Sequence, residues 1–269
     1  MSGPEQGGGV PGWLDLWASG PLGLLLDFDG TLAEIVLEPA AARPRPGALS
    51  AVRALAARDD VRLGVVSGRA LDDLAARLGP VPGAWLAGSH GAELRDPRGQ
   101  TQVLVEAGPA RQALGSFLEQ ARALGGPGLR VEDKGQAVAV HLRGLPSARA
   151  EALSLALSAS ARALCADAPV SWLEGKAVLE LRARGASKGA AAEALLERWG
   201  AGSWALLAAG DDRTDEELFA AVLARGGVAI KVGPGESRAG HRVADPAGFE
   251  RLLLALAQRL AGRAQSSER

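Results

Sequence analysis

Apolar residues along the chain alternate between short unbroken runs and stretches of helical spacing. Leu24-Leu25-Leu26 is the first run and reads as a strand buried on both faces. Leu49, Val52 and Leu55 then recur at three-residue spacing behind Pro44 and Pro46, which predicts a helix over residues 48–58. Residues 61–66 form a second apolar run. A helix follows, with Leu71, Leu74 and Leu78 on one face and Gly79 as its stop. Residues 84–87 complete a third strand. Strand–helix–strand–helix–strand predicts parallel strands joined by crossover helices.

The pattern changes after the turn-rich Arg95-Asp96-Pro97-Arg98-Gly99. A short strand is predicted over 103–106 and a helix over 109–124. Residues 129–134 and 137–143 read as a hairpin around Gly135, and 148–164 as an Ala/Leu helix. Residues 171–174 and 177–182 form a second hairpin around Gly175. The parallel pattern resumes with a helix over 190–199, a strand over 204–209, a helix over 215–224, a strand over 227–232 and a last helix over 249–260. The predicted fold is α/β: a Rossmann-like parallel-sheet core over 13–98 and 185–269, interrupted by an inserted α+β domain over 99–184. Residues 1–12, rich in Gly and Pro, are predicted to be a disordered tail, and the polar stretch 262–269 to fray.

Composition narrows the function classes. The formal net charge of −1 gives no global positive field toward nucleic acid or an anionic membrane. Cys165 is the single cysteine of the 269 residues, so no disulfide closes within the chain, and a reducing compartment suits it. No apolar run approaches the roughly 18 residues that span a bilayer, and no signal-peptide pattern opens the chain. A cytoplasmic protein is expected. No Gly-x-x-x-x-Gly-Lys-Ser/Thr loop occurs, which disfavours nucleotide binding of that kind.

Chemistry concentrates at predicted strand ends. Asp27 and Asp29 follow the first strand, two residues apart, and so face one site on an extended backbone. Two like charges there are costly unless a cation neutralises them. Ligands of such sheets bind beyond the carboxyl ends of the strands, which singles out Asp27, Asp29, Ser67, Arg69 and His90. Gly210-Asp211-Asp212 follows another strand. Carboxylates converging from two strand ends, without thiolates, suit Mg²⁺ better than zinc.

Structural readings stand beside these. Ser67 fits an N-cap. Thr214-x-x-Glu217 fits a capping box, in which Asp215 is either a first-turn helix residue or part of the site. Ser187 is a good N-cap, which puts Lys188 in a first helical turn, against the helix dipole at a cost of about 0.3–1 kcal/mol. A bound anion would remove that conflict. On this reading, removing Lys188 leaves stability unchanged or slightly improved.

Asp27-x-Asp29-Gly-Thr, Ser67-Gly-Arg, Lys188 and Gly210-Asp211-Asp212 resemble, in order and spacing, the four motifs of haloacid dehalogenase-like phosphatases. More narrowly, Gly210-Asp-Asp-Arg-Thr-Asp-Glu, Gly88-Ser-His-Gly-Ala-Glu93, Val131-Glu-Asp-Lys-Gly135 and Val178-Leu-Glu-Leu resemble the trehalose-6-phosphate phosphatases. The resemblance implies an Mg²⁺-dependent phosphatase acting on trehalose 6-phosphate, with a link to a trehalose-phosphate synthase and no nucleic-acid partner. Asp27 would be the nucleophile and Asp29 the general acid and base. Ser67 and Lys188 would hold the phosphate. Asp27, the carbonyl of Asp29 and Asp211 would ligate the metal, with Asp212 either a ligand or a support for one. The inserted domain would be a cap reading the sugar through Glu132, Lys134 and Glu180, with Arg69 and His90 at the core rim. Two alternatives stay open: a related phosphatase for another sugar phosphate, such as sucrose 6-phosphate, and a non-catalytic sugar-phosphate-binding module. The second would be expected to lack Asp27 or Asp29.

Overall fold

The computed structural model describes residues 20–175 and 177–266. The predicted tail over 1–12 lies outside the described residues.

The described residues build two sheets. β1 (Leu22–Leu26) is buried at every position and lies between β2 (Val61–Val66) and β10 (Ala205–Gly210), parallel to both. α1 (Pro46–Ala56) and α2 (Leu71–Leu78) flank β2 in the chain, and β3 (Ala84–Gly88) pairs parallel with it. On the other side, β11 (Val228–Val232) and β12 (His241–Val243) extend the parallel sheet beyond β10. β4 (Glu93–Arg95) and β5 (Thr101–Val103) add two antiparallel strands, giving the order β12-β11-β10-β1-β2-β3-β4-β5. Helices cover both faces. α1 and α7 (Pro246–Ser266) lie over one, and α5 (Lys188–Trp199) with α6 (Asp215–Leu223) over the other. Both faces of the central strands are therefore buried, as their unbroken apolar runs require.

The second sheet has the order β6-β7-β9-β8, all antiparallel: β6 (Arg130–Asp133), β7 (Ala137–His141), β9 (Val178–Ala183) and β8 (Val170–Gly175). α3 (Arg111–Ala123) and α4 (Ser147–Asp167) cover one face. Val138, Val140, Leu179 and Leu181 pack there with Phe117 and Leu157. Alternation sends Glu180 and Arg182 to the opposite face. Register aligns Glu132 with Ala139 and Ala139 with Glu180, so a small residue separates two carboxylates across this face.

Two expectations change. The turn over 96–99 is a hairpin within the large sheet: Gly99 N–H donates to the Asp96 carbonyl, and the Asp96 side chain accepts from Arg98 and Gln100 N–H. The strand expected over 103–106 is β5, which ends at Val103 and pairs with β4, so the large sheet reaches past the expected boundary at 98/99. The expected frayed end is helical through Ser266, and 267–269 lie outside the described residues. Among the described residues, no helix is long and apolar enough to cross a membrane.

Candidate active site

Asp27 leaves the carboxyl end of β1 with a side chain only 4% exposed. Thr31 Oγ1 donates to its Oδ2 at 3.1 Å, and Lys188 Nζ donates to its Oδ1 at 2.6 Å. Lys188 opens α5, and Ser187 caps that helix by accepting from Ala190 N–H at 3.0 Å, as the sequence predicts. The same amine donates to Asp215 Oδ1 at 2.7 Å. The other oxygen of Asp215 accepts from the N–H groups of Asp211 and Asp212 at 3.0 and 2.9 Å. Asp215 therefore ties α6, α5 and the end of β10 together. The predicted capping box does not form: Thr214 adopts a helical conformation and its side chain caps nothing.

Electrostatics follows from this burial. Burial would lower Lys188, but the carboxylates of Asp215 and Asp27 outweigh it and hold the amine above its ordinary value. Burial, then the neighbouring charges of Asp215 and Asp211, push Asp27 well above the usual carboxylate range against the pull of Lys188. Asp27, Asp211 and Asp215 each offer a carboxylate oxygen, and these lie within 4.8 Å of one another. Three buried carboxyl groups meet here beside the Lys188 amine, Lys231 Nζ binds the Asp211 carbonyl, and an all-oxygen donor set of this kind fits a hard divalent cation. Gly30 belongs to this arrangement: with φ +79, a Cβ there would stand 2.3 Å from the Asp211 carboxylate carbon. Asp212 is not in the cluster. Its N–H supports Asp215, and its side chain faces Gly175 of the second sheet.

Ser67 follows β2. It is buried and accepts from Arg69 N–H at 3.2 Å, an arrangement that leaves its hydroxyl proton for another acceptor. It does not cap α2, whose N-cap position is Ala70. Arg69 grips Asp29, with Nε to Oδ2 and Nη2 to Oδ1 both at 2.7 Å.

The second sheet closes the site from above. Lys134 Nζ donates to the Gly68 carbonyl at 2.7 Å and lies 3.2 Å from Glu180 Oε2. His90 Nε2 meets the same oxygen at 3.2 Å. A Cβ on Gly68 would come within 2.6 Å of the His90 ring, so glycine permits this approach. Burial would raise Glu180, but Lys134 and His90 outweigh it and hold the carboxyl far below its usual range. Burial lowers His90. The second oxygen of Glu180 is buried without a partner among the described residues. Glu132 stands apart from this group. It pairs with His141 Nε2 at 2.9 Å, and that hydrogen bond is the main reason its carboxyl is lowered. Asp27, Asp29, Ser67, Lys188 and Asp211 line one cavity of about 520 Å³ with His90, Glu132, Lys134 and Glu180, while Asp215 lies behind its wall.

A family model described as trehalose-phosphatase matches residues 25–246. The chain belongs to the trehalose-phosphatase family. Its relatives include a trehalose-phosphate phosphatase of Mycobacterium avium, 39% identical, over 83% of this chain and 56% of that protein. A bifunctional trehalose-6-phosphate synthase/phosphatase of Thermoproteus tenax is 35% identical, over 86% of this chain and 31% of that one. The chain thus spans about half the length of the first relative and a third of the second. The C-terminal domain of a Candida albicans trehalose-6-phosphate phosphatase shares the fold, with a TM-score of 0.81 at 21% identity, covering 91% of this chain and 95% of that domain.

In this member of the family, the sequence left Asp215 between two roles and did not single out His141. The signal for His141 was present: strand alternation puts it on the face of Ala137 and Ala139, opposite Val138 and Val140. For Asp215, the capping-box string supplied a sufficient local explanation.

Proposed function

We propose that this chain hydrolyses trehalose 6-phosphate to trehalose and phosphate, with Asp27 as nucleophile, Mg²⁺ as cofactor and a passing aspartyl-phosphate. One observation carries this reading: the buried Asp27–Lys188–Asp215 chain opens into the same cavity as Glu180, Lys134 and Glu132. One end offers a nucleophile and cations to a phosphate. The other offers paired charges to hydroxyls.

Asp27, Asp211 and Asp215 would hold Mg²⁺, with the main-chain carbonyl of Asp29 as a further candidate; the ion neutralises charge and polarises the phosphoryl group. Lys188, placed by Ser187 and Asp215, presents its ammonium beside the attacking oxygen, where it offsets the charge of the transferring oxygens. Asp27 Oδ attacks phosphorus while the ester P–O bond breaks. Asp29 gives its proton to the departing sugar oxygen, then takes one from the water that hydrolyses the acyl phosphate. Ser67 donates its hydroxyl proton to a phosphate oxygen. On the cap side, the unpartnered oxygen of Glu180 is an acceptor for a sugar hydroxyl, and Lys134 is a donor. Asp27 and Asp29 are both present, the pair a non-catalytic module would lack. The fused synthase of the Thermoproteus relative suggests that the substrate comes from a trehalose-phosphate synthase.

The deciding experiment measures phosphate release from trehalose 6-phosphate, sucrose 6-phosphate and glucose 6-phosphate, with and without Mg²⁺. Mg²⁺-dependent turnover is expected, with trehalose 6-phosphate foremost. Equal turnover of all three would refute the sugar assignment, and no turnover of any would refute the phosphatase reading.

A further inference from the structure

Arg69 was expected at the sugar, yet four of its five N–H donors are already committed. Nε and Nη2 form a two-point fork on Asp29, Nη1 donates to Asp73 Oδ2 at 2.6 Å, and Nη2 also reaches the Pro39 carbonyl at 3.0 Å. The guanidinium carbon stands 5.4 Å from the centroid of the Phe28 ring. Asp73 is in turn held by Arg77 Nε at 2.9 Å, and Arg77 Nη1 binds the Ala40 carbonyl. The Arg69 side chain is 11% exposed, whereas Asp29 is 38% exposed. Arg69 is thus the fixed partner, anchored from behind, and Asp29 is the end that opens to the cavity.

We propose that Arg69 acts on Asp29 and not on the sugar: it is the positioning residue that fixes where the Asp29 carboxylate stands as the leaving group departs. The proposal rests on Asp29 being the general acid. In that step the new bond joins Asp27 Oδ to phosphorus. The electron pair of the breaking P–O bond passes to the ester oxygen, which takes the proton of Asp29. Asp29 is left as a carboxylate, and a planar fork fits that species on both oxygens. A sugar hydroxyl would find four of the five N–H donors of Arg69 already taken, with one N–H of Nη1 left to offer. The fork also favours arginine at position 69, since lysine offers a point charge and no second parallel donor.

Leaving-group dependence tests the idea, because a positioned acid matters only where the departing oxygen needs a proton. The probes are 4-nitrophenyl phosphate, whose leaving group needs none, and a simple alkyl phosphate, whose leaving group does; neither carries a sugar. Asp29→Asn, as reference, should lose at least about a hundredfold more rate on the alkyl ester than on the aryl ester. Arg69→Met should show the same selective loss, at least about tenfold, with the KM for trehalose 6-phosphate within about threefold of the parent. Arg69→Lys should fall between, and it decides the matter if Arg69→Met does not fold by circular dichroism. Equal losses on both esters for Asp29→Asn would overturn the general-acid reading itself. Selective loss for Asp29→Asn but equal losses for the Arg69 variants, or a raised KM with unchanged kcat, would overturn the role of Arg69 alone.

Discussion

Lys188 Nζ lies 2.6 Å from Asp27 Oδ1 and 2.7 Å from Asp215 Oδ1, all three side chains being buried. The dipole argument made Lys188 a misplaced cation whose loss would be harmless. The structure overturns that expectation, because two buried carboxylates depend on this amine and their pairing outweighs a helix-end effect of under about 1 kcal/mol. Lys188→Ala should therefore destabilise the protein by about 3–5 kcal/mol, the scale for removing one partner of a buried ion pair. Urea denaturation of both proteins measures it. A variant as stable as the parent would mean that the cluster relaxes or is neutralised at no cost.

Asp27→Asn tests the nucleophile. The amide keeps an oxygen to accept from Thr31 or Lys188 and fills nearly the same volume, so the fold should persist. Turnover should fall at least roughly a thousandfold, in keeping with loss of a covalent nucleophile. Circular dichroism together with phosphate release separates the two effects, and substantial release from a folded variant would exclude a covalent step at this residue.

Metal dependence has a readout independent of turnover. With Asp27, Asp211 and Asp215 mutually repelling, an ion that binds only the folded state should raise the melting temperature. Mg²⁺ added to chelator-treated protein should give this shift as well as restoring phosphate release. Asp211→Asn should lose the shift. An identical shift in the parent and in Asp211→Asn would move the cation to another place.

How much of this could be read beforehand depended on the range of each interaction. β1 and the position of Asp27 and Asp29 were legible because an unbroken apolar run and a following Asp-x-Asp-Gly are local signals. Ser187 was read correctly as an N-cap for the same reason. Asp215 was not resolved, since a local capping string explained it and its real partners lie as far off as Lys188 in α5. Arg69 was seen as a charged residue at a strand end, but nothing local shows that its partner is Asp29, 40 positions earlier. The turn over 96–99 was located, but a turn signal does not say whether the strands it joins pair with each other or belong to separate units.

On the proposed reading Glu180 bears on both specificity and stability, so one variant tests both. It is held by Lys134 and His90, each at 3.2 Å, and its carboxyl is lowered relative to the unfolded chain. A carboxyl lowered on folding stabilises the protein above its unfolded pKa of about 4.3, and that contribution is lost as pH falls below it. The parent should thus be more stable than Glu180→Gln at pH 6, and the gap should narrow as pH falls from about 4.3 to 3, with a slope of up to about 1.4 kcal/mol per pH unit, and persist in part at pH 3. Urea midpoints at several pH values measure this. The same variant should lose at least roughly tenfold in kcat/KM on trehalose 6-phosphate, about 1.4 kcal/mol of transition-state binding. Hydrolysis of 4-nitrophenyl phosphate should fall far less, because that ester carries no hydroxyls for Glu180 to accept from. Parallel losses on both substrates would show that Glu180 serves cap closure through Lys134 and Gly68, while a pH-independent stability gap would show that its charge is not what His90 and Lys134 hold.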